Sequence, residues 1–156
     1  MLPPTPDEIS TMEIVDDVLR LRFRGLDLHP VHKVPTYYFE MLSVSTNEEV
    51  GTINIRNATS RHIELYAGHI GYSVHAAWRG RRYAARAVRL LFPLVRRLMI
   101  QTLWITCDPD NIASRRTAEL AGASFAGVVD VPAHCIIFKA GHPRKCRYRI
   151  DLDTVF

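Results

Sequence analysis

The sequence predicts a single mixed α/β domain: a mostly antiparallel sheet, a central β-α-β-α-β unit, and helices packed on the sheet faces. Three observations carry this expectation. The chain has 156 residues, 47% hydrophobic and 23% charged, enough for one domain with a proper core. Its first half and its end show apolar residues at a period of two, the mark of half-buried strands. Between them the period turns helical twice, with one short apolar strand separating the two stretches.

The elements follow in order. Residues 1–10, MLPPTPDEIS, hold three prolines and are expected to be loosely held. TMEIVDD, residues 11–17, is compatible with a helix start. VLRLRFRG, residues 18–25, alternates Leu19, Leu21 and Phe23 with Arg20, Arg22 and Arg24, a strand that Gly25 should end. A connector with two prolines leads to TYYFEMLSV (36–44) and EVGTINIR (49–56), two strands joined at STNEE as a hairpin. NATSRHIELYA (57–67) reads as a loop or frayed strand, and GHIGYSVH (68–75) as the fourth strand. From about residue 80 to 98, Ala84, Ala87, Val88, Leu91, Val95 and Leu98 form one helical stripe. Pro93 lies inside it and should kink the helix, because it removes a hydrogen bond. TLWITC (102–107) is a short buried strand. DPDNIASRRTAELAGA (108–123) is a second helix, capped by Asp110 or Asn111 and closed by Gly122. SFAGVVDVP, HCIIFKA and KCRYRIDL are strand-like, with AGHPRK as a turn between the last two. No internal repeat or domain linker interrupts the chain, so residues 1–156 are expected to form one domain.

No apolar run approaches the ~18 residues of a membrane span, and the N-terminus shows no basic, apolar secretion signal. Three cysteines, Cys107, Cys135 and Cys146, lack CxxC spacing, which fits a reduced cytoplasmic protein. The formal net charge is +4, and seven arginines crowd residues 79–97. Such a patch suits a phosphorylated cofactor as well as a nucleic acid. No interleaved aromatics or nucleic-acid motif favour the latter. His134, Cys135, His142 and Cys146 do not read as a metal site, because adjacent residues of a strand point to opposite faces.

Arg79, Gly80, Arg81, Arg82, Tyr83 and Ala84 stand where a strand gives way to a helix. A helix start offers unpaired N–H groups and the positive end of its dipole. A glycine lets the backbone approach an anion closely, and arginines add charge shaped for phosphate oxygens. A pyrophosphate is the natural guest. The bland alternative is a solvated helix face.

The conjunction of GYSV, RGRRYA and LWITCDPDNIASRRTAELAG resembles the acetyl-CoA-binding region of the GCN5-related N-acetyltransferase (GNAT) superfamily, best over residues 68–122. The resemblance implies a GNAT-like fold and direct transfer of acetyl from acetyl-CoA to a primary amine, with no metal. It places the pyrophosphate at residues 79–84 and the pantetheine arm along Val74 and His75, between two splayed parallel strands. Asn111 matches an Asn that holds the cofactor. Simple helix capping by DPDN (108–111) competes with that role, and Ser114, one turn later on the same face, is a further candidate. Where the family has its central glycine, this chain has Arg82, expected to modify affinity rather than abolish the site.

An amine of pKa near 10.4 needs about 4–5 kcal/mol to lose its proton at pH 7, so a general base is expected. Glu64 and His69 lie where the family often supplies one; a surface position for Glu64 and a structural role for His69 compete with that. The tyrosine that often serves as acid is replaced by Ala118, and Tyr148 is the candidate substitute, with an ordinary sheet tyrosine as the competing reading. The family's two helices between its first and second strands have no room between residues 25 and 35. The acceptor side is therefore expected to be open, or completed by the N-terminal segment or a second subunit, and a homodimer is expected on that ground. A basic-rimmed cleft favours an acceptor carrying carboxylate or phosphate. The alternatives are a non-catalytic acyl-CoA-binding module, for which Arg82 and Ala118 speak, and a nucleic-acid-binding protein using the arginine helix.

Overall fold

The computed structural model describes residues 2–154. Met1, the first residue of the segment expected to be loosely held, and residues 155–156 lie outside the described residues. The chain enters with a short helix, α1 (Pro6–Ser10), rather than a loose segment. Thr5 and Glu8 form a reciprocal capping box, and Ile9 is buried in the core, so local capping and one apolar anchor order the start. Residues 11–17 form no helix: β1 (Ile14–Val15) pairs with β2 (Leu19–Leu28) instead.

Strand β2 does not end at Gly25. A bulge at Arg24, with Gly25 at φ 143°, shifts the register, and the strand continues to Leu28 opposite Pro35. The bulged segment lets Arg22 and Arg24 both bond Glu40 on β3 (Pro35–Ser43). β4 (Glu49–Arg56) and β5 (Ile70–Val74) complete a five-stranded antiparallel sheet in the order β1-β2-β3-β4-β5. A second sheet holds β6 (Thr102–Cys107), β8 (Arg144–Asp151) and β7 (Ser124–Asp130), with β8 in the centre.

The helical stretch begins at Tyr83 and breaks where Pro93 predicts. It forms α2 (Tyr83–Leu90) and α3 (Phe92–Arg97), with Pro93 in the first turn of α3, where its missing N–H costs nothing. Ala87, Val88, Leu91 and Val95 are all fully buried in the core shared with β2–β5. Arg86 points away and pairs with Asp16 and Asp17. Asn111 caps α4 (Ile112–Leu120) by accepting the Ser114 N–H at 3.1 Å. Gly122 closes that helix at φ 99°.

Two further segments depart from the sequence reading. Residues 57–67 contain a wide π-helical turn, His62–Ala67, whose carbonyls are gathered by distant side chains. Arg147 donates twice to Glu64 O, Thr106 to Tyr66 O, and Arg56 to Ala67 O. HCIIFKA is not a strand but a turn of helix, α5 (Ile136–Lys139), ended by Gly141 at φ 101° with His142 N–H returning to Ile137 O. Its apolar run was too short for period to separate strand from helix.

Candidate functional site

The two sheets meet where β5 lies beside β6, joined by the α2–α3 crossover that a parallel neighbour requires. No ladder joins β5 to β6 among the described residues. A single backbone bond, His69 N–H to Trp104 O at 2.8 Å, holds them at the base. His69 completes the clasp: its Nδ1 accepts the Trp104 N–H at 2.9 Å, so Nε2 carries the proton that it shares with Ala58 O at 3.1 Å. Burial lowers its pKa to about 4. A neutral histidine with both nitrogens committed has no lone pair for a substrate proton, so His69 builds the site rather than acting as its base.

Beyond this clasp the strands part and leave a cleft of about 780 Å³. Odd-numbered residues of β5 exchange hydrogen bonds with β4, as His69 O does with Arg56 N–H and His75 N–H with Val50 O. The amides of Tyr72 and Val74 therefore face the gap. That alternation turns His75 away, its amide on β4 and its ring against Glu49 at 2.9 Å. His75 does not line the cleft.

The mouth of the cleft is the start of α2. Residues 79–84 all line it, together with Val74, Asn111 and Ser114. Arg82 occupies the N-cap position in the left-handed region (φ 63°, ψ 25°) and provides no side-chain cap. The first-turn N–H groups therefore have no intrahelical partner. Gly80 is left-handed too, and a Cβ there would meet nothing within 4 Å; it is backbone angle, not crowding, that favours glycine. Arg79 donates to Val74 O at 3.0 Å, and Arg81 lies 4.9 Å over the Trp78 ring. Among the described residues no carboxylate pairs with Arg79, Arg81 or Arg82. Uncapped N–H groups beside three uncompensated guanidinium groups form an anion cradle. Phosphate groups fit it, and an extended amide-bearing arm fits the free β5 edge.

Glu64, His69 and Tyr148 do not converge on the cleft. Glu64 sits in the π-helical turn and Tyr148 is buried in β8, neither lining the cleft. The Tyr148 hydroxyl accepts from Arg115 Nε at 2.9 Å. Other groups face the cleft instead. Tyr72 Oη and Ser114 Oγ share a 2.6 Å hydrogen bond, and burial raises the Tyr72 pKa. On the wall across from β5, His142 Nδ1 lies 2.7 Å from Asp108 Oδ2, and Lys145 Nζ lies 3.3 Å from Asp108 Oδ1. Burial works to raise the Asp108 pKa, but the His142 bond and the Lys145 charge hold it below the usual range. An ionised Asp108 accepting from Nδ1 leaves His142 Nε2 as the open nitrogen. No local motif announces this pair. The β6–β8 pairing of Cys107 with Cys146 brings together residues 34 positions apart. Val31 and His32 of the β2–β3 turn and Ile136 and Ile137 of α5 line the cleft as well.

The arrangement defines the class: a mixed α/β protein with an arginine-ringed helix start beside two splayed, parallel strands. The model of the Acetyltransferase (GNAT) domain family matches residues 10–124, more than half of the chain, and the chain belongs to that family. Solved structures share the fold. The GNAT-family acetyltransferase from Bacillus anthracis is 21% identical with a TM-score of 0.59, over 74% of this chain and 66% of its own. RimL, a ribosomal L7/L12 alpha-N-protein acetyltransferase seen with coenzyme A, is 15% identical with a TM-score of 0.64, over 89% and 97%. MccE, a microcin C7 self-immunity acetyltransferase seen with acetyl-CoA and AMP, is 16% identical with a TM-score of 0.56, over 74% and 61%. The chain thus spans less than two thirds of the B. anthracis and MccE chains but nearly all of RimL. No curated protein sequence matches it.

Proposed function

We propose that the protein is an acetyl-CoA-dependent N-acetyltransferase that acetylates a primary amine directly. The observation that carries this reading is the uncapped start of α2, ringed by Arg79, Arg81 and Arg82, at the mouth of the β5–β6 cleft. Acetyl-CoA supplies an activated acetyl group; everything else is work for the chain. Residues 79–84 hold the pyrophosphate, and the free amides of Tyr72 and Val74 pair with the arm as an added strand would. His142, oriented by Asp108, accepts the amine proton at Nε2. The Tyr72–Ser114 hydroxyl pair supplies a proton to the leaving thiolate, in place of the tyrosine that Ala118 replaces. The Tyr72 phenol, its pKa raised by burial, carries its proton at neutral pH.

Titration calorimetry with acetyl-CoA tests the reading, comparing the wild type with an Arg79→Ala, Arg81→Ala double variant. Saturable binding by the wild type, weakened in the double variant, is expected. Failure of the folded wild type to bind at millimolar concentration would falsify the cofactor site and turn attention to the basic helix as a nucleic-acid surface.

A further inference from the structure

The cleft has a second basic group that the cofactor reading does not use. Arg56 ends β4, and its N–H bonds His69 O at the start of β5. The arginines of residues 79–82 follow the other end of β5, some 13 Å of strand away. Arg56 Nη1 donates to Ala67 O at 2.7 Å and Gly68 O at 3.2 Å, which explains one corner of the guanidinium as a brace for the π-helical turn. It does not explain the rest. Nε is buried with no partner, as is the neighbouring Asn54 Oδ1. Among the described residues no carboxylate pairs with Arg56. Position 71 has given up its side chain to let this guanidinium in: a Cβ on Gly71 would stand 2.5 Å from Arg56 Nη2. Both residues line the cleft.

A desolvated cation without a counter-ion is costly, and the cost falls when an anion arrives. We propose that Arg56 is the acceptor-recognition residue of the enzyme, binding a carboxylate carried by the amine that is acetylated. This rests on the transferase reading above. A carboxylate, rather than a phosphate, matches the charge available. Arg56 is one cation, Lys145 is already paired with Asp108, and the imidazole of His32 is held neutral by burial and by Arg56 itself. A single fork-shaped donor suits a singly charged planar oxyanion.

The test is a set of matched amines assayed by CoA release: glycine, β-alanine and 4-aminobutanoate, each against its amide, and O-phosphoethanolamine against ethanolamine. Acetyl-CoA binding is measured separately by calorimetry. The wild type should favour at least one acid over its amide on the order of 10- to 100-fold in kcat/KM, mostly through KM. Arg56→Met should erase that preference while still binding acetyl-CoA. Arg56→Lys, which keeps the charge and guards against a mere folding defect, should retain part of it. Acid and amide reacting equally, a preference that survives Arg56→Met, or a preference for the phosphate pair alone overturns the proposal. So does cofactor binding without turnover of any acid. Loss of cofactor binding by the wild type would instead overturn the transferase reading and take this inference with it.

Discussion

His69 holds β5 to β6, and its neutrality can be measured. In the folded chain its pKa is lowered from 6.5 to about 4 by burial, although its bond to Ala58 O works the other way. The unfolded chain therefore takes up a proton near pH 6.5 that the folded chain refuses until about pH 4. The stability contributed by a neutral His69 is fully present above pH 6.5 and is lost as pH falls to about 4. Over that interval the loss is about 3 kcal/mol, a large share of the stability of a domain this size. Other groups titrate in the same direction, His32 among them, so the effect is isolated by difference. His69→Asn keeps a side-chain carbonyl that can accept from Trp104 but cannot gain the proton. Urea unfolding of both proteins at intervals from pH 8 to pH 4 gives the comparison. At pH 8 the variant should be weaker by about 1–3 kcal/mol for the lost Ala58 bond and disturbed packing. The wild type should then lose stability more steeply, by up to one proton's slope, until the gap closes near pH 4. Parallel curves between pH 6.5 and 4 would show that His69 is not held neutral, and the clasp described here would be wrong.

Three further variants probe the site. Arg82→Gly removes a left-handed non-glycine residue, relieving roughly 1–2 kcal/mol against roughly 0.5–1 kcal/mol of added chain entropy. Its melting temperature should hold or rise, while its acetyl-CoA affinity, measured at low and high salt, falls and loses part of its salt dependence. His142→Gln should lower kcat by roughly 10²–10⁴ with acetyl-CoA affinity unchanged by calorimetry, and Asp108→Asn should lower it less. An unchanged kcat in His142→Gln would remove that residue from the chemistry.

The parts legible in the sequence are those set by short-range rules. Alternation in residues 19–23 and 49–56 marked strands, the 84–98 stripe marked a helix, and Pro93 marked its break. The strand–RGRRYA–helix corner marked a helix start ringed by arginines, because unpaired N–H groups at a helix start are a local property. The bulge at Arg24 and the strand's continuation past Gly25 were not legible, since the register depends on the partner β3. Nor was the π-helical turn, which Arg56, Thr106 and Arg147 hold from elsewhere in the chain.

By itself the sequence determined the order of the elements, the apolar faces that must be buried, and the basic corner that asks for an anion. Only the tertiary structure decided which titratable groups face the cleft. His69 and Tyr148 look available along the chain and are buried with partners. Asp108 and His142 look unrelated and become a pair through β6–β8 register. Arg56 reads as one more strand-end cation until Gly71 is seen to make room for it. Proton affinity and charge compensation depend on what surrounds a side chain in space, and along a chain that is set by pairing across dozens of residues rather than by neighbours in sequence.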